Sequence, residues 1–337
     1  MSPLLLRCEA TPALGTGHAM RGLALAQEWM ARGGRAVFAM AAPEPALVER
    51  LRAGGAEVVL LDSRAGSPAD AVSTAALVCR IGAAWTVVDG PDLAEEWERS
   101  WPAGASLLRI DDNGLSRAFR ADLLLNQNVG TTPADYPRCG ERTRLLLGPA
   151  FVLLRPEFRA QGRLARGGRL VVTMGGTDPA CATERALGAL LEPSAREIEA
   201  DFVIGAANPR RAALLQQVEA HAPRLRALVA PPNLPEVFAR AEVALTAGGS
   251  TLYELAYLGT PMLVLATAEN QRRTCEQFAA CGAADYLGWH ADLPPADLAR
   301  MLAAAGSGIR RGAAAVTPLV DGGGAARVVD AMRGGGR

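Results

Sequence analysis

Three glycine-rich segments stand where a strand pattern ends and a helical pattern begins. They are residues 15–18, 175–178 and 248–251. Glycine lets the backbone approach a ligand closely, and a helix start offers unpaired N–H groups and the positive end of the helix dipole. Phosphate and sugar oxygens fit such a place, so the sequence predicts a ligand that carries phosphate.

His18 is the first candidate for chemistry, because it follows Gly15 and Gly17 at a predicted helix start and is one of three histidines. The positive end of a helix disfavours imidazolium, so we expect His18 to stay neutral near pH 7 and to accept a proton. A capping or surface role is the alternative. A dinucleotide fingerprint would need a third glycine where the chain has Met20, which disfavours a nicotinamide cofactor.

The second segment follows the first strand pattern of the second half of the chain. Gly175 and Gly176 give access to the backbone there, and Thr177 or Asp178 could cap the helix that follows. A simple capping turn is the alternative interpretation of this segment.

The third segment has the features of a diphosphate site. Gly249 is followed by the hydroxyl side chains of Ser250 and Thr251, at the start of a predicted helix. Glu254 lies one helical turn beyond Ser250, so its carboxylate could reach the hydroxyl groups of a ribose. A capping-type pair between Ser250 and Glu254 is the alternative.

Polar side chains follow other strand patterns as well. Asp111 and Asn126 each follow a strand in the first half, and Gln271 starts a helix after a strand in the second half. Ligands of parallel α/β sheets bind at the carboxyl ends of strands, so these residues are candidate substrate contacts. Turn chemistry would also explain Asp111 and Asn126.

The elements that must position these residues alternate along the chain. Strand patterns cover 4–8, 35–40, 57–61, 85–89, 106–111, 123–126, 170–174, 198–204, 225–229, 243–246, 262–265 and 284–287. Helical patterns cover 20–32, 69–81, 181–191, 209–221, 235–240, 252–258 and 273–281. This alternation predicts an α/β protein with parallel sheets that are covered on both faces.

The alternation is interrupted by a charged, glycine-containing segment near residues 156–168. With 337 residues, the chain also exceeds the length at which a single core usually divides. We therefore predict one domain at 1–157, a second at 168–315, and a C-terminal helix with a flexible tail at 316–337.

Composition narrows the class of partner. The formal net charge is zero, which argues against a nucleic-acid partner, and no Cys, His or Asp spacing suggests a metal site. No apolar run reaches the length of a membrane span, and the six cysteines show no CxxC pair. We expect a cytoplasmic monomer or weak homodimer that acts on a small molecule without a cofactor.

Taken in order, these segments resemble the UDP-sugar hydrolases of the pseudaminic acid pathway and the related spore-coat polysaccharide proteins. The motifs that carry the resemblance are RCEA at 7–10, LGTGHAMR at 14–21, IDD at 110–112, LLNQN at 124–128, GPAFVLLR at 148–155, MGGTD at 174–178, GGST at 248–251 with Glu254, and NQ at 270–271. The second domain is also similar to that of the MurG-type glycosyltransferases.

The resemblance implies a GT-B architecture, in which two Rossmann-like, doubly wound parallel-sheet domains face each other across a cleft. The N-terminal domain would hold the sugar and the C-terminal domain the UDP. The family reaction is hydrolysis of UDP-2,4-diacetamido-2,4,6-trideoxy-β-L-altropyranose at the anomeric C–O bond, with inversion and without a metal. His18 matches the histidine that would activate water.

The resemblance also assigns the remaining site residues. Glycines and hydroxyl groups of the second domain would line the diphosphate, Glu254 would bind the ribose, the loop at Pro232 would contact uracil, and Gln271 would approach the sugar or diphosphate. The full set of implied substrate contacts is Gly15, Gly17, Arg21, Asp111, Asn126, Gly175, Gly176, Thr177, Pro232, Gly249, Ser250, Thr251, Glu254 and Gln271.

Three residues at two places depart from the family pattern, and both places are on the sugar side. The family commonly has Asp-His-Tyr after the fourth strand, where this chain has Asp89, Gly90 and Pro91, and it prefers Asp where Glu9 stands. Two alternatives to a hydrolase therefore stay open. One is a glycosyltransferase that moves the sugar to an acceptor, and the other is a nucleotide-sugar binding protein without catalysis.

Overall fold

The structure, a computed structural model, describes residues 2–11, 15–91, 93, 97, 101, 106–112, 114, 121–162, 164–308 and 319–334, with only the backbone at 306–308. The chain divides into two compact units. The first unit combines Met1–Pro156 with Gly322–Arg337, and the second is Glu157–Asp321.

Strands and helices alternate in the first unit. Its strands in the described residues are β1 (Leu4–Cys8), β2 (Ala36–Met40), β3 (Glu57–Leu60), β4 (Trp85–Asp89), β5 (Ser106–Ile110), β6 (Leu123–Asn126) and β7 (Arg144–Leu147). The helices among them are α1 (Gly17–Ala31), α2 (Pro45–Ala53) and α3 (Pro68–Ile81). The short α4 (Pro156–Arg159) follows β7 at the boundary, and all of it except Pro156 belongs to the second unit.

The strands of the first unit form one parallel sheet in the order β3-β2-β1-β4-β5-β6-β7. The order reverses between β1 and β4, so the loops that leave these two strands diverge at their carboxyl ends. Such a switch point is where open α/β sheets bind ligands. Cys8 pairs with Asp89 there, at the carboxyl ends of both strands.

Successive side chains of a strand point to opposite sides of the sheet, and here both sides are buried. Leu4 and Leu6 of β1 belong to the core cluster that also contains α1, whereas Leu5 packs on the face covered by α3. Helix α1 approaches closely at Gly22, where a Cβ would lie 3.3 Å from Leu6 Cδ2 and from Phe38 Cε1.

The second unit repeats this plan. Its strands in the described residues are β8 (Leu170–Thr173), β9 (Ala200–Ile204), β10 (Leu225–Val229), β11 (Val243–Ala247), β12 (Met262–Ala266) and β13 (Asp285–Trp289). The helices are α5 (Ala182–Leu191), α6 (Arg211–Glu219), α7 (Leu234–Arg240), α8 (Thr251–Leu258), α9 (Arg272–Ala280) and α10 (Pro295–Gly308).

The second sheet is also parallel, in the order β10-β9-β8-β11-β12-β13. Its switch point lies between β8 and β11. The glycine-rich segments at 175–178 and 248–251 follow these two strands, so the sheet brings them to the same edge.

The last helix, α11 (Gly324–Gly334), returns to the first unit and packs on α1. Arg32 at the end of α1 forms an ion pair with Asp330. Gly324 is required at the helix start, since a Cβ there would lie 2.2 Å from the backbone oxygen of Val152.

The predicted fold class is confirmed: the chain is an α/β protein with two Rossmann-like, parallel-sheet units. Four elements were missed, strand β7 and helices α2, α4 and α10. Helix α1 begins at Gly17 rather than at residue 20, so His18 lies inside its first turn. Among the described residues, no helix is long and apolar enough to cross a membrane.

Candidate functional site

The switch point of the first sheet brings His18 and Asp89 together. His18 is the second residue of α1, and Asp89 is the last residue of β4, 71 positions later in the chain. The Nδ1 atom of His18 lies 2.8 Å from Oδ1 of Asp89. The Asp89 side chain is 2% exposed and that of His18 is 20% exposed, so only the histidine reaches solvent.

Arg21 holds the other side of the same carboxylate. It lies one turn after His18 on α1, and its Nε donates to Oδ2 of Asp89 at 2.6 Å while Nη2 donates to Oδ1 at 2.5 Å. Its Nη1 donates to Oδ1 of Asp112 at 2.6 Å. The guanidinium is therefore clamped between two carboxylates, a role that the sequence did not indicate for Arg21.

Asp89 stays ionised in this setting. Burial alone would raise the pKa of its carboxyl group, but the neighbouring charges of Arg21 and His18 and their hydrogen bonds hold that pKa well below its usual range. An ionised carboxylate can only accept hydrogen bonds.

The expectation that the helix terminus lowers the pKa of His18 is wrong, because the pKa is raised. Burial lowers the pKa of His18, and so does Arg21, but the charge of Asp89 and its hydrogen bond, aided by Asp112, outweigh them and raise the pKa above its ordinary value. Asp89 lies 71 residues from His18 in the chain, so its effect on the histidine is not evident from the local sequence.

The ionised partner also favours one tautomer of the neutral ring, because its 2.8 Å contact with Nδ1 is shorter than the 3.1 Å contact between Nη2 of Arg21 and the same atom. Because Asp89 only accepts, Nδ1 of His18 carries the proton and donates it to Oδ1. The Nε2 atom is then left with its lone pair. A histidine oriented in this way by a buried carboxylate has the geometry of a general base.

The predicted residues Asp111 and Asn126 lie at the ends of the next two strands, and both are buried. The hydroxyl group of Tyr136 joins them, since it donates to Oδ2 of Asp111 at 2.8 Å and accepts from Nδ2 of Asn126 at 2.7 Å. The sequence analysis did not consider Tyr136.

Gly15 and Gly17 lie beside His18 in the loop that leaves β1. Gly15 has a φ of +76°, in the left-handed region that favours glycine, and its N–H donates to the backbone oxygen of Thr11 at 2.8 Å. Gly17 is the first residue of α1.

In the second unit, the segment after β8 is held by its own cap. Asp178 accepts hydrogen bonds from the N–H groups of Ala182 and Thr183, both at 2.9 Å, which makes it the cap of α5. Gly175 is exposed with a φ of +87°, whereas Thr177 is buried. The cap thus presents Gly175 at the sheet edge.

Gly176 is packed tightly against the next loop. A Cβ at Gly205 would lie 2.1 Å from the backbone oxygen of Gly176, so these two backbones touch. This contact fixes the height of the segment above the sheet.

The segment after β11 leaves Gly249 open. A Cβ there would meet nothing within 4 Å, whereas a Cβ at Gly248 would lie 2.5 Å from Sγ of Cys275. Ser250 precedes α8 and is exposed, and its side chain makes no capping hydrogen bond to the helix. Thr251 and Glu254 lie in the first turn of α8 and are half-buried.

Gln271 supports this segment from behind. Its Oε1 accepts hydrogen bonds from the N–H of Gly248 at 3.2 Å, the N–H of Thr267 at 3.0 Å and the hydroxyl of Thr267 at 2.9 Å. The structure therefore joins Gln271 to the segment after β11.

Pro232 is exposed in the loop after β10, the edge strand of the sheet, two strands away from β8. No group of His, Cys, Asp or Glu able to hold a metal ion occurs within the described ranges. None of the six cysteines, all of which lie in the described ranges, forms a disulfide; Cys8 and Cys275 are buried, and the others are partly or fully exposed.

No family model matches the chain. A search of curated proteins finds a relative that matches part of it. The chain is 32% identical over 151 residues to the spore coat polysaccharide biosynthesis protein SpsG of Bacillus subtilis (strain 168). The match covers 43% of this chain and 44% of SpsG, so it spans less than half of either protein.

Comparison of structures covers nearly the whole chain. MurG of Acinetobacter baumannii matches with a TM-score of 0.66 and 14% identity, over 99% of this chain and 100% of that one. MnaA of S. aureus, solved with UDP, matches with a TM-score of 0.70 and 12% identity, over 99% and 96%. The UDP-GlcNAc 2-epimerase of Methanocaldococcus jannaschii, solved with UDP-GlcNAc and UDP, gives 0.64 and 11%, over 99% and 100%.

The chain has the GT-B fold, and over less than half of its length its sequence is similar to that of SpsG. Identities this low in the structural matches establish the fold alone, whereas the SpsG match carries the sequence resemblance.

Proposed function

We propose that this chain is a UDP-sugar hydrolase, in which His18 activates the attacking water. The observation that carries the proposal is the pair formed by His18 and the ionised, buried Asp89, which leaves Nε2 of the histidine free to take a proton. A positioned base of this kind contributes about 10²–10⁴-fold to rate.

In the proposed reaction, the oxygen of water attacks the anomeric carbon while Nε2 of His18 takes one of the water protons. The bond between the anomeric carbon and the phosphate oxygen breaks, and its electron pair stays on the β-phosphate of UDP. The products are UDP and a free sugar of inverted configuration. His18, now an imidazolium stabilised by Asp89, then releases its proton to solvent.

The second unit would bind UDP. Gly249 offers open space next to the first N–H groups of α8, where a diphosphate would receive hydrogen bonds and the positive end of the helix dipole. Gly175 would contribute backbone from the neighbouring loop, Glu254 would bind the ribose, and Pro232 marks the loop that would contact uracil. Two structural relatives solved with UDP support this choice of ligand.

Gly249→Ala tests the phosphate site. Because a new Cβ there meets no protein atom within 4 Å, the substitution should leave folding unchanged and still weaken UDP binding through contact with the ligand. Gly188→Ala in α5 is the matched control, since it also adds a Cβ in open space. If calorimetry finds equal UDP affinity in both variants, the proposal that the diphosphate binds at Gly249 is wrong.

A glycosyltransferase is the second candidate, because Nε2 of His18 could equally take the proton of an acceptor hydroxyl group. Solved structures that match over 98–99% of the chain include the calicheamicin glycosyltransferase CalG4 and the kitacinnamycin glycosyltransferase. Incubation with a panel of UDP-sugars, with and without candidate acceptors, separates the two. Release of UDP without an acceptor supports hydrolysis, release only with an acceptor supports transfer, and binding without release supports a non-catalytic role.

We further propose a biosynthetic setting in surface polysaccharide or nonulosonic acid synthesis, in keeping with the name of SpsG as a spore coat polysaccharide biosynthesis protein. The altered residues Gly90 and Pro91 lie directly after Asp89, so the sugar would differ from that of the family in the groups that meet this turn.

A further inference from the structure

A buried polar network stands behind the His18–Asp89 pair and has no role in the proposed reaction. It is centred on Tyr136, which is 4% exposed and therefore too deep to meet a substrate directly. The network joins the ends of β5 and β6 to Asp112, the second carboxylate that holds Arg21.

The hydrogen bonds at Tyr136 run in one direction only. The amide nitrogen of Asn126 can only donate, so the phenol oxygen accepts from it at 2.7 Å. The phenol proton must then go to Oδ2 of Asp111, 2.8 Å away. Burial and the charge of Asp111 raise the pKa of Tyr136, so the phenol keeps the proton that this bond requires.

Two ties lead from this phenol to Asp112. The first is the chain itself, because Asp112 follows Asp111, whose Oδ2 also accepts from the N–H of Gly114 at 2.9 Å and so closes the turn. The second runs through Asn126, whose Oδ1 accepts from the N–H of Asn128 at 2.9 Å.

Asn128 completes the second tie. Its Nδ2 donates to the backbone oxygen of Asp112 at 3.0 Å. The Asp112 backbone is thus held both from its own turn and from the end of β6. Its side chain is 28% exposed and would otherwise be free to swing into solvent.

We propose that Tyr136 is a positioning residue that fixes the turn bearing Asp112 and, through Arg21, sets the orientation of the His18–Asp89 pair. The catalytic consequence rests on the proposed function, but the positioning itself does not. Charged groups facing His18 are Asp89, Arg21 and Asp112, and Tyr136 acts on the last of these alone.

The test is a titration of the His18 ring by nuclear magnetic resonance, with signals assigned by comparison with His18→Asn. In the wild type the His18 pKa is above its ordinary value, partly because of Asp112. Tyr136→Phe removes the donor to Asp111, frees Asp112 to move away, and should lower the His18 pKa by about 0.5 unit. Asp112→Asn removes the charge outright and should lower it by about 1 unit.

Tyr257→Phe is the matched control. It removes a hydroxyl group that donates to the backbone oxygen of Arg159 in the second unit. Because this bond is not part of the network at His18, the titration of His18 should be unchanged. If Tyr136→Phe lowers only the melting temperature and leaves the His18 titration as in the wild type, Tyr136 is merely structural and the proposal is overturned.

Asn128→Ala covers the case in which Tyr136→Phe fails to fold. It removes the second tie at a half-buried residue without exposing the buried carboxylate of Asp111, and it should also lower the His18 pKa. An unchanged titration in Asn128→Ala would contradict the proposal in the same way. Neither readout needs a substrate, so a wild type that releases no UDP would reject the hydrolase and leave the positioning role to be judged separately.

Discussion

Asp89→Asn is the substitution that best tests what Asp89 contributes to His18 and to Arg21. The carboxylate accepts three hydrogen bonds, one from His18 and two from Arg21. A carboxamide has one oxygen and one NH₂ group, so it cannot accept all three. If its oxygen stays with Nε of Arg21, its NH₂ group faces Nδ1 of His18 and forces the proton of the ring onto Nε2.

The expected losses of stability and of rate follow from the burial of Asp89 and from this change of tautomer. Breaking a buried ion pair by removal of one partner costs about 3–5 kcal/mol, and Arg21 keeps only Asp112 as a carboxylate partner in the variant. Loss of the Asp89 charge should lower the His18 pKa by roughly 1–3 units. A histidine with its proton on Nε2 cannot act as the base, so the rate should fall by about 10²–10⁴-fold.

Three measurements on one preparation check these values: unfolding by calorimetry, titration of His18 by nuclear magnetic resonance, and release of UDP. Asp201→Asn is the matched control, because Asp201 also accepts from two arginines, Arg169 and Arg226, but in the second unit. It should reduce stability without changing the His18 titration. An Asp89→Asn protein that keeps the wild-type His18 pKa and wild-type turnover would refute the reasoning.

Other expectations follow from the same geometry. His18→Asn should abolish turnover while calorimetry still measures UDP binding; retained activity would remove His18 from the reaction. Glu254→Ala should weaken UDP binding by about 1–3 kcal/mol, the scale of a lost hydrogen bond to a charged group, and an unchanged dissociation constant would contradict the ribose assignment. The rate should rise with pH through a His18 pKa that lies above its ordinary value, because only the neutral ring accepts a proton; a midpoint below 6.5 would argue against the Asp89 partnership. The lowered pKa of Asp89 stabilises the fold above the ordinary pKa of about 3.9 for an aspartate, so stability measured by calorimetry should fall as the pH drops below that value, and a flat profile there would contradict the buried ion pair.

Local patterns were sufficient for much of the fold. Alternating strand and helix periodicity predicted both parallel sheets, and glycine-rich strand ends predicted the segments that meet at the two switch points. Strand β7 was missed because it is only four residues long and follows an irregular segment. Helix α2 was missed although Pro45 at its first position is a typical helix start.

The partner of His18 could not be found in this way. Asp89 is 71 residues away, and only the strand order, which puts β4 directly beside β1, makes the two side chains neighbours. Residues 89–91 depart from the family pattern at Gly90 and Pro91, whereas Asp89 matches the family and so does not stand out in the sequence. An acidic residue at the end of a central strand was the available signal.

The C-terminal helix shows the same limit. A C-terminal helix was predicted, but nothing local indicates that α11 returns to the first unit and packs on α1. Contacts such as the ion pair between Arg32 and Asp330 join residues almost a whole chain apart.

The most direct measurement is mass spectrometry of the products formed from a UDP-sugar in ¹⁸O-labelled water, with no acceptor present. Water activated by His18 and attacking the anomeric carbon would place the heavy oxygen in the released sugar and none in UDP. Heavy oxygen in the UDP, or no UDP at all until an acceptor alcohol is added, would contradict the account.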